Sequence, residues 1–163
     1  NYSIPARNAA LDPSYVDEIK ARYSSYRDEN WQRGFGADFR DNEQSALSVS
    51  DEERLAEYED RWARGGLAFL AAYSDLVFDD EANSTARDFF GEKIASRVED
   101  PELAQKLIPD FPIGCKRLCV DTDYYEIYNE EHVALSLKAM LSHVCMAVSS
   151  GSFSRLTRDY DMF

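Results

Sequence analysis

The sequence predicts a mainly α-helical domain with a short α+β tail. Three observations carry this. Apolar residues recur at steps of three and four through most of residues 12–108, and Asp-Pro or Ser-x-x-Glu signals open the periodic stretches. From Pro109 onward, breakers and short apolar runs replace the helical period. The 163 residues suffice for one domain with its own core, and 44% hydrophobic content with ten Tyr and nine Phe excludes a disordered tail.

Residues 1–11 read as an extended lead-in, since Pro5 disfavours helix at Ile4. Asp12-Pro13 is a helix start, with Asp12 as N-cap and Pro13 in the first turn. Val16, Ile19, Tyr23 and Tyr26 then form one apolar stripe on a helix that Gly34 and Gly36 end. Phe35 to Ser48 has no period and reads as a loop. Ser50 and Glu53 have the spacing of a capping box, and Leu55, Tyr58 and Trp62 continue an apolar face until Gly65-Gly66. A short apolar helix is expected from Leu67 to about Phe78. Asp79-Asp80-Glu81 places negative charge where the next helix dipole favours it, and Ala86, Phe90, Ile94 and Val98 recur every four residues behind it. Asp100-Pro101 opens a last helix reaching about Leu107. The helices thus occupy 12–108, and 109–163 form a return segment. There, Leu118-Cys119-Val120, Val133-Ala134-Leu135 and Val144 to Val148 are strand candidates, Asp123 to Asn129 is a turn or single helical turn, and Ser149 to Ser152 is a turn. Two or three short strands are marginal alone, so they are expected to pair with a sheet outside this chain. Together with a start at Asn1 and an end at Phe163, this leads to the expectation of an internal piece of a longer protein; a processed product would look the same.

A net charge of −13 repels phosphate backbones and anionic surfaces, so neither nucleic acid nor a membrane is an expected partner. No run approaches the ~20 apolar residues of a membrane helix, and no secretory signal is visible. Cys115, Cys119 and Cys145 are an odd number at spacings that suit no zinc site, and free thiols in the cytoplasm are the expected state.

Most familiar chemical signatures are missing. There is no nucleophile elbow, Walker loop or H-E-x-x-H. Gly34-Phe35-Gly36 lacks the third glycine of a dinucleotide loop, and Asp121 and Asp123 lack the glycine and glutamate of an EF-hand. The aromatic pairs Tyr23/Tyr26 and Tyr58/Trp62 lie on helical stripes and read as core. One segment stands out: Phe111-Pro112-Ile113-Gly114-Cys115-Lys116-Arg117-Leu118, followed by Asp123-Tyr124-Tyr125-Glu126 and Tyr128-Asn129. Lys116-Arg117 can present two fixed cations to anionic ligand groups. The plainer reading is a surface pair bonded to nearby carboxylates.

This segment resembles the type I Baeyer–Villiger monooxygenases, the cyclohexanone- and phenylacetone-oxidising flavoproteins. Their corresponding stretch runs aromatic-Pro-x-Gly-x-Lys-Arg, then Asp-Tyr-Tyr and an aromatic-Asn pair. Ile4-Pro5-Ala6-Arg7-Asn8 resembles the exit from their NADP-binding strand, and Ala46-Leu47 through Glu53 and Asp100 to Ala104 resemble their helical insertion. The likeness covers about residues 1–135. Past Asn129 the family's Asn-Arg-x-Asn-Val is replaced by Asn129-Glu130-Glu131-His132-Val133, and from Ser136 the match is loose, although Asp159 to Met162 is similar to the approach to the family's next strand.

The resemblance implies a helical subdomain inserted in the NADP-binding domain of a protein with two dinucleotide-binding domains. It implies FAD and NADPH as cofactors, a ketone and O2 as substrates, and the remaining FAD and NADP domains as partners. By position, Arg117 matches the family's active-site arginine at the flavin and nicotinamide, Lys116 the lysine near the NADP 2′-phosphate, and Leu118 a residue beside the substrate pocket. Neither a G-x-G-x-x-G nor the family's F-x-G-x-x-x-H-x-x-x-W is present, so this chain alone is expected to bind neither cofactor tightly and to be inactive. Two alternatives stand beside this: a non-enzymatic acidic helical module that binds a protein partner, and a related flavin monooxygenase acting on nitrogen or sulfur.

Overall fold

The computed structural model describes residues 1–135. Two compact units divide the chain, Asn1–Asn129 and Glu130–Phe163. In the first, strand β1 (Ser3–Pro5) is followed by helices α1 (Pro13–Ala21), α2 (Tyr23–Trp31), α3 (Asp51–Arg64), α4 (Asp80–Ala95) and α5 (Pro101–Leu107), and then by strand β2 (Cys119–Asp121). The mainly helical expectation holds for the described residues.

The helix starts are local and follow the sequence. Asp12 accepts from Ser14 N at 2.7 Å, Asp79 from Glu81 N and Ala82 N, and Asp100 from Glu102 N and Leu103 N. Ser50 Oγ accepts from Glu53 N at 3.2 Å, one half of the capping box. Each such cap contributes about 1 kcal/mol. Gly65 ends α3 at φ 69°; a Cβ there would collide with the Pro5 carbonyl, so glycine lets α3 lie against the exit of β1.

The aromatic faces of α3 and α4 make the main core. Tyr58, Trp62, Phe69, Phe89 and Phe90 meet at centroid separations of 4.8–6.2 Å, mostly edge to face, and Tyr2 packs on Phe90 at 5.4 Å. Each pair adds roughly 0.5–1.5 kcal/mol beyond its buried area. A second cluster joins Ile94, Val98 and Ala104 to Tyr125.

Five expectations are corrected. The helix from Asp12 to Gly34 is two helices, broken at Arg22 (φ −116°, ψ 22°), and no residue of either is buried. Tyr23 is 59% exposed and Tyr26 half-buried, so this stripe is not core among the described residues. Without packing a helix rests on propensity, and Tyr23-Ser24-Ser25-Tyr26 has little. Leu67 to Phe78 is a 3₁₀ turn, Gly66–Ala71, followed by further turns. The strand at Cys119–Asp121 exists, but its observed partner lies in this chain: β2 runs parallel to β1 in the register Ser3–Cys119, Ile4–Val120, Pro5–Asp121. The helices form the long crossover a parallel pair needs. Val133-Ala134-Leu135 is not a strand. The strand at Val144 to Val148, the turn at Ser149 to Ser152, Asp159 to Met162 and Cys145 lie outside the described residues. In the second unit, Val133 N donates to Glu130 O at 3.0 Å. No helix among the described residues is long and apolar enough to cross a membrane, and no group of three or more His, Cys, Asp or Glu among them could hold a metal ion.

Candidate functional site

The Lys116-Arg117 doublet is a short exposed bridge between two anchored points. Upstream, the Tyr2 hydroxyl donates to Phe111 O at 2.9 Å. Asn83, buried on α4, then takes both backbone groups of Ile113: its Oδ1 accepts from Ile113 N at 3.0 Å and its Nδ2 donates to Ile113 O at 2.9 Å. Cys115 N donates to Pro112 O at 3.2 Å and closes a turn, with Gly114 at φ 94°. That conformation favours glycine, and a Cβ would also stand 3.1 Å from Val77 Cγ1. Downstream, Leu118 is buried in the main core and Cys119 N donates to Tyr2 O at 3.1 Å.

Between these anchors Lys116 and Arg117 are exposed. Lys116 Nζ sits 4.3 Å from the Phe111 ring centroid, a contact that steadies the ammonium without using its three donors. The Arg117 carbonyl accepts from Asn1 Nδ2 at 2.8 Å. Among the described residues neither cation is in an ion pair, whereas Arg22, Arg33, Arg54, Arg61, Arg64, Lys93 and Arg97 each meet a carboxylate. The plainer reading of a carboxylate-bonded surface pair is therefore not what the described residues show. Cys115 and Cys119 flank the doublet as exposed free thiols.

The rest of the singled-out segment is scaffold. Asp121 Oδ1 accepts from Tyr124 N at 3.2 Å and starts the turn into a 3₁₀ stretch, Glu126–Asn129. Tyr125 is buried in the second cluster, and burial raises its phenol above the ordinary value. Tyr124 and Tyr128 share a hydroxyl contact of 3.3 Å; that bond and partial burial push Tyr124 up to about 12. Asn129 Oδ1 accepts from Glu99 N and its Nδ2 donates to Arg97 O, clasping the loop behind α4.

An apolar groove of about 230 Å³, lined by Phe35, Leu70, Ala71, Tyr73, Val77 and Phe78 with Asp41 and Glu43 among the others, lies on the far side of Val77 from the Gly114 turn. Val77 belongs both to the groove and to the surroundings of Gly114. Arg61, buried in α3, donates to the carbonyls of Phe39, Arg40 and Ala68 and pairs with Glu57 at 2.7 Å, so it pins the loop that supplies the groove's far wall. Sequence reasoning missed Asn83, Arg61 and the groove. For Asn83 there was a signal: the apolar series Ala86, Phe90, Ile94 extended back by three reaches position 83, and a polar residue on a buried stripe must find partners.

No protein-family model matches the chain. Individual proteins do. Cyclohexanone 1,2-monooxygenase of Acinetobacter is 37% identical over 138 residues, 82% of this chain and 25% of that protein. A Baeyer–Villiger monooxygenase of Pseudooceanicola batsensis is 31% identical over 83% of the chain and 25% of its own length, and phenazine N-monooxygenase of Lysobacter antibioticus is 36% identical over 82% and 25%. Among solved structures, an oxidised steroid monooxygenase bound to NADP superposes with a TM-score of 0.75 at 47% identity, covering 83% of this chain and 26% of that one. The chain is therefore similar to one segment of a group of monooxygenases that includes an FAD-binding monooxygenase of Aspergillus aculeatus and the NADP-bound steroid enzyme. Within that class its likeness is to the Baeyer–Villiger monooxygenases, and it spans about a quarter of the length of the relatives it matches.

Proposed function

We propose that the protein to which this chain belongs is an FAD- and NADPH-dependent monooxygenase of the cytoplasm that inserts one oxygen atom beside a ketone carbonyl, giving an ester or lactone. Overall, ketone, O2, NADPH and a proton become ester, NADP+ and water. The observation that carries this reading is the exposed doublet, rigidly held at both ends and without an acidic partner among the described residues, in a chain of net charge −13.

The doublet's donor chemistry fits the anionic cofactors. Reduced FAD, when bound, activates O2; the residues of this chain bind and orient. Arg117 offers a planar guanidinium that stabilises negative charge developing at the reacting oxygen. Lys116, a point charge with three donors, meets the 2′-phosphate of NADPH. Leu118 packs beneath the doublet, so its part in a substrate pocket is the layer behind the wall. The neighbouring groove offers apolar surface to the ketone.

In this reading residues 12–108 are a helical subdomain inserted in the NADP-binding domain, 1–11 leave that domain's strand, and 109–163 return to it. The remaining FAD and NADP domains then cover α1 and α2, whose Tyr15, Tyr23 and Trp31 are 49%, 59% and 85% exposed. The likeness to phenazine N-monooxygenase supports a second reading, oxygenation at an aromatic nitrogen. The test is product analysis with the full-length protein, NADPH and either a cyclic ketone or a phenazine. Lactone supports the first reading, N-oxide alone the second, and neither product with either substrate sinks both. As a residue-level check, Lys116→Ala is expected to raise KM for NADPH more than for NADH; an equal effect on both would count against the assignment.

A further inference from the structure

Asn83 sits one turn into α4, buried to 3% exposure, and uses all of its polar groups on backbone. Its Nδ2 donates to Leu76 O at 2.8 Å and to Ile113 O at 2.9 Å, while its Oδ1 accepts from Ile113 N at 3.0 Å. Only this amide orientation works: two carbonyls need the NH2 group and one N–H needs the oxygen. The three bonds join segments far apart in sequence. Leu76 precedes Val77 and Phe78 of the apolar groove, and Ile113 precedes Gly114, Cys115 and the cationic doublet.

We infer that Asn83 is a positioning residue that fixes the Lys116-Arg117 turn relative to the groove, and so sets how the protein grips the phosphate end of its nicotinamide cofactor. The inference rests on the monooxygenase reading above. Asn83 touches no ligand itself. It acts because Ile113 is the last buried residue before the doublet and is tied by both backbone groups to one side chain. Without that clasp the Pro112–Cys115 turn keeps its own bond, the Val77 contact and the burial of Ile113, with Phe111 and Leu118 still held on either side. None of these fixes the two backbone groups of Ile113, and even a small shift of the doublet costs heavily in an oriented site.

The test compares Asn83→Ala, Asn83→Asp, Lys116→Ala and a control, Val98→Ala, in the full-length enzyme. Val98 is buried in the second cluster, away from the doublet, so its truncation destabilises without touching the turn. The readouts are Tm, kcat, and KM for NADPH and NADH. Asn83→Ala is expected to raise KM for NADPH about tenfold and to erode the preference for NADPH over NADH, with Tm lowered. Val98→Ala should lower Tm and leave the preference as in the wild type. Asn83→Asp preserves shape, and guards against an alanine variant that fails to fold. Protonated, its carboxyl can still accept from Ile113 N and donate to one carbonyl; ionised, it can donate to neither. Its preference for NADPH should therefore approach wild type at low pH and fall as pH rises. Unchanged preference in the folded Asn83 variants, while Lys116→Ala loses it, overturns the inference and leaves the monooxygenase reading intact. If Val98→Ala erodes the preference as much as Asn83→Ala does, the effect is general destabilisation and the inference fails. If Lys116→Ala itself leaves the preference intact, the cofactor reading fails and this inference falls with it.

Discussion

Replacing Gly114 by alanine tests the geometry that presents the doublet. Gly114 has φ 94°, where an L-residue with a Cβ pays about 1–3 kcal/mol. The added methyl would also stand 3.1 Å from Val77 Cγ1, closer than ordinary carbon contact, so Val77 must yield by a few tenths of an ångström. Both effects act in the same direction, giving an expected loss of about 2–3 kcal/mol in the folded chain. Gly34 provides the contrast: nothing lies within 4 Å of its would-be Cβ and its φ is not in the positive range, so Gly34→Ala should be neutral within about 0.5 kcal/mol or slightly stabilising. Urea unfolding followed by intrinsic fluorescence reads both. If Gly114→Ala matches Gly34→Ala, the turn is not built as described, and the placement of Lys116 and Arg117 loses its physical basis.

Burial holds the phenols of Tyr58 and Tyr125 above the ordinary value of 10.0. Their contribution to stability is therefore present below pH 10 and lost as pH rises, because the unfolded chain releases those protons first. Melting temperature should fall on going from about pH 9 to about pH 11, with phenolate absorbance lagging in the native chain; simultaneous titration of all tyrosines at pH 10 would contradict this. For the surface of α1 and α2, hydroxyl-radical footprinting should oxidise Trp31 and Tyr23 rapidly in this chain and slowly in the full-length protein. Equal rates in the two would show that nothing covers that face.

What could be read in the sequence was what depends on near neighbours. Asp12-Pro13, Ser50 with Glu53, Asp79 and Asp100-Pro101 cap the helices they announce, because a cap is a contact over two or three residues. The stripe of Ala86, Phe90, Ile94 and Val98 is buried as its period requires. The parallel pairing of Ser3–Pro5 with Cys119–Asp121 spans more than a hundred residues and leaves no local trace. The break at Arg22 has neither glycine nor proline to mark it. The stripe on α1 and α2 was read correctly as apolar, yet apolar period says that a face wants a partner and not where the partner is. In the candidate site the doublet and its glycine were legible. The clasp that holds them was not, since one asparagine in a helix has no motif. Asp123-Tyr124-Tyr125 and Asn129, which stand out in the sequence beside the doublet, serve as scaffold.

The most direct test of the central claim is rapid mixing of the full-length protein carrying Arg117→Ala with NADPH, followed by oxygen and a ketone. The account predicts that bound flavin is still reduced while no ester or lactone forms. Lactone formation at the wild-type rate would contradict it, because the exposed cation that this fold holds in place would then have no part in oxygen insertion.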